Sequence, residues 1–163
     1  MTGGLGAADR WDLTDLVSTY AAAVDGRDWE ALGALFTARA VLVTPDPPRS
    51  LTPVTESRGR DAIVATVSAV GSFACTVHHV TGSTWSVAGD AVLGRTTGVA
   101  HHVEVGPSPR SWAWHVVYAD AFVPTDLGWR FERRELTVRM IEERPLVSAL
   151  PFSAQPFSGP LTP

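Results

Sequence analysis

The sequence predicts an α+β fold in which helices pack on one face of a curved antiparallel sheet. Two observations carry this. In the first part of the 163-residue chain, apolar residues recur at three- and four-residue steps, the period of an amphipathic helix. After Gly71 the texture changes to four long β-rich runs separated by tight turn signals, the pattern of an antiparallel meander.

The elements follow in order. Leu13, Leu16, Val17, Tyr20 and Val24 share one face of a first helix. Asp9 or Asp12 can cap its start, and Gly26 offers a left-handed stop just after Asp25. Asp28 suits the N-cap of a second, short helix whose apolar stripe is Trp29, Leu32, Leu35 and Phe36. Residues 40–44 read as a short β-run. Residues 45–57 contain four prolines and little periodicity, so they read as a loop. Gly59-Arg60-Asp61 opens a third helix with Ile63, Val67 and Val70 inward.

The β-rich runs are 75–87, 91–105, 111–123 and 129–141. They are separated by Gly89-Asp90, Gly106-Pro107-Ser108-Pro109 and Thr125-Asp126-Leu127-Gly128. From residue 145 onward there are five prolines in 19 residues and no amphipathic pattern, which predicts an extended arm. The expected organisation is an N-terminal extension (1–8), one domain (9–144) and a Pro-rich C-terminal arm (145–163).

Composition narrows the function classes. The chain is 45% hydrophobic and 18% charged, with a mean hydropathy of +0.07, as expected of a soluble globular protein. No uninterrupted apolar run is long enough to span a bilayer. The first six residues lack the basic region and apolar core of a signal peptide, so a cytoplasmic location is the expectation. The net charge is −4, and the 13 basic residues, all arginines, are scattered rather than striped. That pattern argues against nucleic-acid binding. Cys75, the lone cysteine, has no disulfide or zinc-site partner and reads as a small buried hydrophobe.

Four of the five histidines form two doublets, His78–His79 and His101–His102, on neighbouring predicted strands. Imidazole titrates near neutrality and is the usual general acid or base. The Gly89-Asp90 turn sets Ala88 opposite Ala91 and Val87 opposite Val92. Carried down the ladder, this register puts His78 opposite His101 and His79 opposite Ala100, with His102 diagonally next to it. Strand alternation then puts His79 and His102 on one face and His78 and His101 on the other, unless a bulge near Gly82 interrupts the ladder. Only two of the four share a face, too few for the usual three protein ligands of catalytic zinc, so no metal is expected. Trp112, Trp114, Val116, Tyr118 and Phe122 should face the helices. Asp120 interrupts that set, and a carboxylate on an apolar face is either paired or functional. The group Glu132-Arg133-Arg134-Glu135 reads as a solvated strand surface or an interface rim.

Several segments together resemble SnoaL-like proteins of the NTF2-like superfamily. They are Tyr20-(x)4-Asp25-Gly-Arg-Asp-Trp-Glu-Ala-Leu, Gly59-Arg60-Asp61-Ala62-Ile63, His78-His79-Val80-Thr81 and Gly128-Trp129-Arg130-Phe131. The resemblance covers roughly residues 9–142. It implies an NTF2-like cone, a curved sheet wrapped around helices and enclosing a deep pocket, in a homodimer or trimer. Within the superfamily the chain is similar to scytalone dehydratases and bile-acid 7α-dehydratases. That likeness implies a helix-end acid at Asp25, catalytic histidines at His79 and His102, and a catalytic tyrosine at Tyr20. Tyr118 stands where the fungal dehydratase has a polar amide, and Thr44 where it has a water-binding tyrosine.

The expected activity is cofactor-independent Asp–His acid–base catalysis: dehydration or enolisation of a hydroxy-ketone, polyketide- or steroid-like substrate. Asp25 would orient His102, and Trp114, Tyr118 and Asp120 would contact a small apolar or aromatic substrate. The alternatives are a polyketide cyclase or a non-catalytic small-molecule-binding protein.

Overall fold

The computed structural model describes residues 4–149 and Phe152. Helix α1 (Ala7–Asp25) is followed by α2 (Trp29–Ala34), the hairpin β1 (Phe36–Asp46) and β2 (Ser50–Arg58), and α3 (Arg60–Ser68), which runs into a 3-10 turn at Ala69–Ser72. Strands β3 (Cys75–Ala88), β4 (Ala91–Val103), β5 (Arg110–Thr125) and β6 (Gly128–Pro145) then form the meander. The six strands make one sheet in the order β2-β1-β6-β5-β4-β3. Every neighbouring pair is antiparallel except β1 and β6, whose parallel pairing ties the N-terminal half to the meander. The helices pack on one face of this open, curved sheet, as the α+β reading requires.

The face of α1 is the predicted one, whereas Phe36, expected on the second helix, begins β1, and Val70, expected on the third, falls in the 3-10 turn. Leu13, Leu16, Val17, Tyr20 and Val24 are buried, and they join Leu32, Phe36, Ile63, Phe122 and Phe131 in one core. Each such apolar side chain contributes roughly 1.5–3 kcal/mol on burial. Asp28 caps α2 by accepting a 2.9 Å hydrogen bond from the Ala31 backbone N–H.

The helix ends and the Pro-rich loop differ from expectation. Helix α1 starts at Ala7 behind Gly6, and Asp9 sits in its first turn, accepting from the Gly6 N–H at 3.2 Å. Gly26 stays right-handed (φ −78°), and the left-handed position falls on Arg27 (φ 54°). The expected loop at residues 45–57 instead contributes residues 50–57 to β2. They lie at the sheet's edge, where Pro53 sacrifices no ladder bond the fold requires. The expected C-terminal arm lies outside the described residues from Leu150 onward, apart from Phe152. No helix among the described residues is long and apolar enough to cross a membrane.

The β3–β4 ladder decides where the histidines point. From the turn it runs as predicted, Ala88 opposite Ala91 down to Gly82 opposite Thr97. There the register shifts, Val80 pairs with Gly98, and Thr81 is the extra residue of a bulge. Gly98 makes the bulge possible, because a Cβ there would lie 2.6 Å from the His79 carbonyl oxygen. Below the bulge His78 pairs with Ala100, and Thr76 with His102. His78 and His102 therefore share the inner face, while His79 and His101 share the outer one. This corrects the predicted grouping, since a one-residue slip turns every later side chain to the opposite face.

Candidate functional site

Between α1, α3 and the inner face of the sheet lies a cavity of about 310 Å³. Its walls are mostly apolar and aromatic, among them Val24, Leu42, Val67, Phe73, Trp114 and Tyr118. Tyr20, Tyr118, His78 and His102 are the titratable groups that reach it.

Asp25, the last residue of α1, points at the start of β3. Its carboxylate accepts three hydrogen bonds: from Thr76 Oγ1 at 2.9 Å, from the His78 backbone N–H at 2.7 Å and from His78 Nδ1 at 2.6 Å. Burial raises the Asp25 carboxyl, but the hydrogen bonds and charge of His78, with the Thr76 hydroxyl, outweigh it and hold the group below its ordinary value. A carboxylate can only accept, so the proton of that shared bond sits on His78 Nδ1 and Nε2 is left as the base. The expected Asp25–His102 bond is thus replaced by Asp25–His78, a direct consequence of the bulge.

His102 is buried on the same face. Its ring packs against Phe73 (5.0 Å between centroids) and Trp114 (4.8 Å), and it stands edge-on to His78 at 6.1 Å. Its Nδ1 has no hydrogen-bond partner. Burial first, and the neighbouring His78 second, push its pKa down to about 4, so it is neutral at pH 7. Tyr20 meets Phe36, Tyr118 and Phe131 edge to face, and burial raises its phenol above the ordinary value. It therefore stays a protonated donor at neutral pH.

The remaining predicted residues divide. Trp114 and Tyr118 line the cavity. His79 does not reach it; its ring lies against His101, 5.6 Å between centroids, on the outer face. On that face His101 Nδ1 is 3.1 Å from Ser111 Oγ, and His115 Nε2 is 2.8 Å from Glu142. Asp120 is also absent from the cavity wall, because it is buried opposite Arg134.

Arg134 is the residue that the sequence reading misplaced. It is 1% exposed rather than on a solvated surface. Its Nε lies 3.1 Å from Asp120, and its guanidinium sits over the rings of Tyr118, Tyr20 and Phe131 at 3.9, 4.1 and 4.5 Å. The Nε contact is poorly aligned for hydrogen bonding, and the Nη2 bond to Asp120 is long at 3.4 Å, so the pair is held more by charge than by directed bonds. Burial raises Asp120 to about 6 against the pull of Arg134, which leaves the pair ionised at neutral pH. A signal was present in the sequence, since a carboxylate on an apolar strand calls for a cation on the strand beside it.

The fold and site can be set beside known proteins. A family model described as a SnoaL-like domain matches residues 6–135. A scytalone dehydratase-like protein of Novosphingobium aromaticivorans superposes with a TM-score of 0.71 at 25% identity, covering 88% of this chain and 93% of its own. An NTF2-like protein with a cystatin-like fold from the same species gives a TM-score of 0.63 at 24% identity, over 81% and 82%. A hexachlorocyclohexane dehydrochlorinase of Novosphingobium barchaimii gives 0.68 at 19%, over 90% and 95%, a likeness of fold. No curated protein matches in sequence. The family match spans most of the chain and the cone is the one its structural neighbours share, so the chain belongs to the SnoaL-like family of NTF2-like proteins.

Proposed function

We propose that the protein is a small-molecule lyase or isomerase that removes a proton α to a carbonyl, with His78 as the general base and Asp25 as its orienting partner. The observation that carries this is the 2.6 Å Asp25–His78 contact at the wall of an apolar cavity. The hydrogen-bonded carboxylate fixes the tautomer and stabilises the imidazolium that forms, the role of an acid behind a catalytic imidazole.

In the dehydration version, His78 Nε2 takes the α proton and the C–H electron pair forms the enolate. The enolate then expels the β-hydroxyl, which leaves as water with a proton returned from His78. Tyr20, a neutral phenol, donates a hydrogen bond to the developing oxyanion. His102, neutral at pH 7, supplies a second polar contact without adding charge. The substrate is a neutral molecule with an apolar or aromatic body. Among the described residues the fully buried cation beside the cavity, Arg134, is already matched by Asp120 and is not free to pair with a substrate carboxylate. The scytalone dehydratase-like relative supports an elimination, and the SnoaL-like family supports the small-molecule class.

The benzaldehyde–acetone aldol adduct is a suitable probe, because its dehydration yields an absorbing enone. Wild-type protein is expected to accelerate that dehydration. Asp25→Asn and His78→Ala should each reduce the rate by roughly 10²–10⁴-fold, while His79→Ala leaves it unchanged. Binding of the adduct without turnover in the wild type would sink the catalytic reading in favour of a carrier.

A further inference from the structure

Arg27 joins three parts of the molecule that are distant in sequence. It is the one non-glycine residue with positive φ (54°) among the described residues, a conformation that persists only where the surroundings enforce it. Its Nη1 donates to the Gly71 carbonyl at 2.9 Å, and its Nη2 donates to the carbonyls of Phe73 and Ala74 at 2.6 and 3.4 Å. Those residues connect the 3-10 turn to β3, and Phe73 is the residue whose ring lies against His102 and walls the cavity. The guanidinium also sits 4.7 Å from the ring centroid of Phe152, and the Phe152 backbone N–H donates to the Ala74 carbonyl at 2.7 Å. Just after β6, the Leu146 N–H bonds the Pro109 carbonyl at 2.9 Å.

We infer that Arg27 and Phe152 form a clamp that holds Phe73 over His102, so that Phe152 controls the hydration of a cavity histidine through Phe73. The guanidinium fork bonds the connecting segment, and the ring of Phe152 covers the guanidinium and shields those bonds from water. Neither residue is a catalytic group. Both are positioning residues acting through Phe73. The consequence is a dry environment for His102, and dryness is what keeps an imidazole uncharged. The charged or titratable groups near His102 are His78 and Asp25 from the inner face and His101 beside it in β4. None of these belongs to the clamp, so Phe152→Ala changes hydration and not the nearby charges, whereas Arg27→Gln also removes a cation. The coupling stands independently of which reaction the cavity supports.

The test follows the imidazole proton resonances of His102 by NMR during a pH titration of the full-length chain. In the wild type His102 should remain neutral down to about pH 5. Phe152→Ala changes no charge and should raise the His102 midpoint by about one pH unit or more toward the ordinary imidazole value. Arg27→Gln should do the same. Val147→Ala, at a fully exposed position just after β6, should leave it unmoved. Should Arg27→Gln fail to fold, Phe152→Ala decides alone. A folded Phe152→Ala protein whose His102 titrates like the wild type overturns the inference, and so does an equal rise in Val147→Ala. Turnover is not read, so this result is separable from the fate of the proposed activity.

Discussion

At the scale of single residues, two buried groups have measurable electrostatic consequences. The folded-state pKa of His102, about 4, lies below the ordinary imidazole value near 6.5. Between those values the unfolded chain binds the proton and the folded one does not. Stability from a neutral buried His102 is therefore complete above pH 6.5 and is lost as the pH falls toward 4, by up to about 3 kcal/mol. Urea denaturation at pH 7 and pH 4.5 should show this loss in the wild type, and His102→Gln should flatten it. An identical pH slope in the two proteins would rule out a depressed His102. The Arg134–Asp120 pair behaves differently, because each charge depends on the other. Asp120→Ala should destabilise the protein by about 3–5 kcal/mol by leaving a buried cation unpaired. The double change Asp120→Leu with Arg134→Met should recover most of that loss. A double variant no more stable than Asp120→Ala, in the same denaturation experiment, would show that the aromatic cage around the guanidinium matters more than the charge.

At the scale of elements, bulges control the site. The β3–β4 bulge at Thr81 turns His78 and His102 inward and sends His79 and His101 out. A shift in the β5–β6 ladder between Ala121 and Phe122 sets Asp120 opposite Arg134; continuing the register of the Thr125–Gly128 turn would have given it Arg133. Gly98→Ala tests the first of these, because the added methyl would press on the His79 carbonyl. Its expected effect is a loss of about 1–3 kcal/mol of stability from overpacking, together with loss of the close His78–Asp25 contact. The downfield Nδ1 proton expected of His78 should vanish from the NMR spectrum. Retention of that signal at wild-type stability would mean that the bulge does not need glycine. Turn residues could be read from the sequence, and so could the hairpin register next to the turn. Gly82 marked a possible slip seven residues further along but could not establish it, because a strand glycine is compatible with a bulged and with a regular ladder.

At the scale of the whole molecule, the face of α1, the four meander strands and the helix-end position of Asp25 were all legible in the sequence. Each depends on periodicity or on a local cap, and such signals survive without knowledge of distant contacts. Residues 50–57 were not legible as a strand. Their backbone pairs with β1 at an edge, and the Pro53 that argues against a central strand is compatible with that position. Nor was the parallel β1–β6 pairing, which joins segments some ninety residues apart. The Arg27 clamp is of the same kind, linking a helix end, a connecting segment and Phe152. By itself, then, the sequence determined the α+β class, and its resemblance to a known family implied the cone and an acid paired with a histidine of the doublets. Only the tertiary structure decided which histidine of each doublet faces the cavity. Side chains alternate along a strand with a period of two, so a single inserted residue reverses the answer.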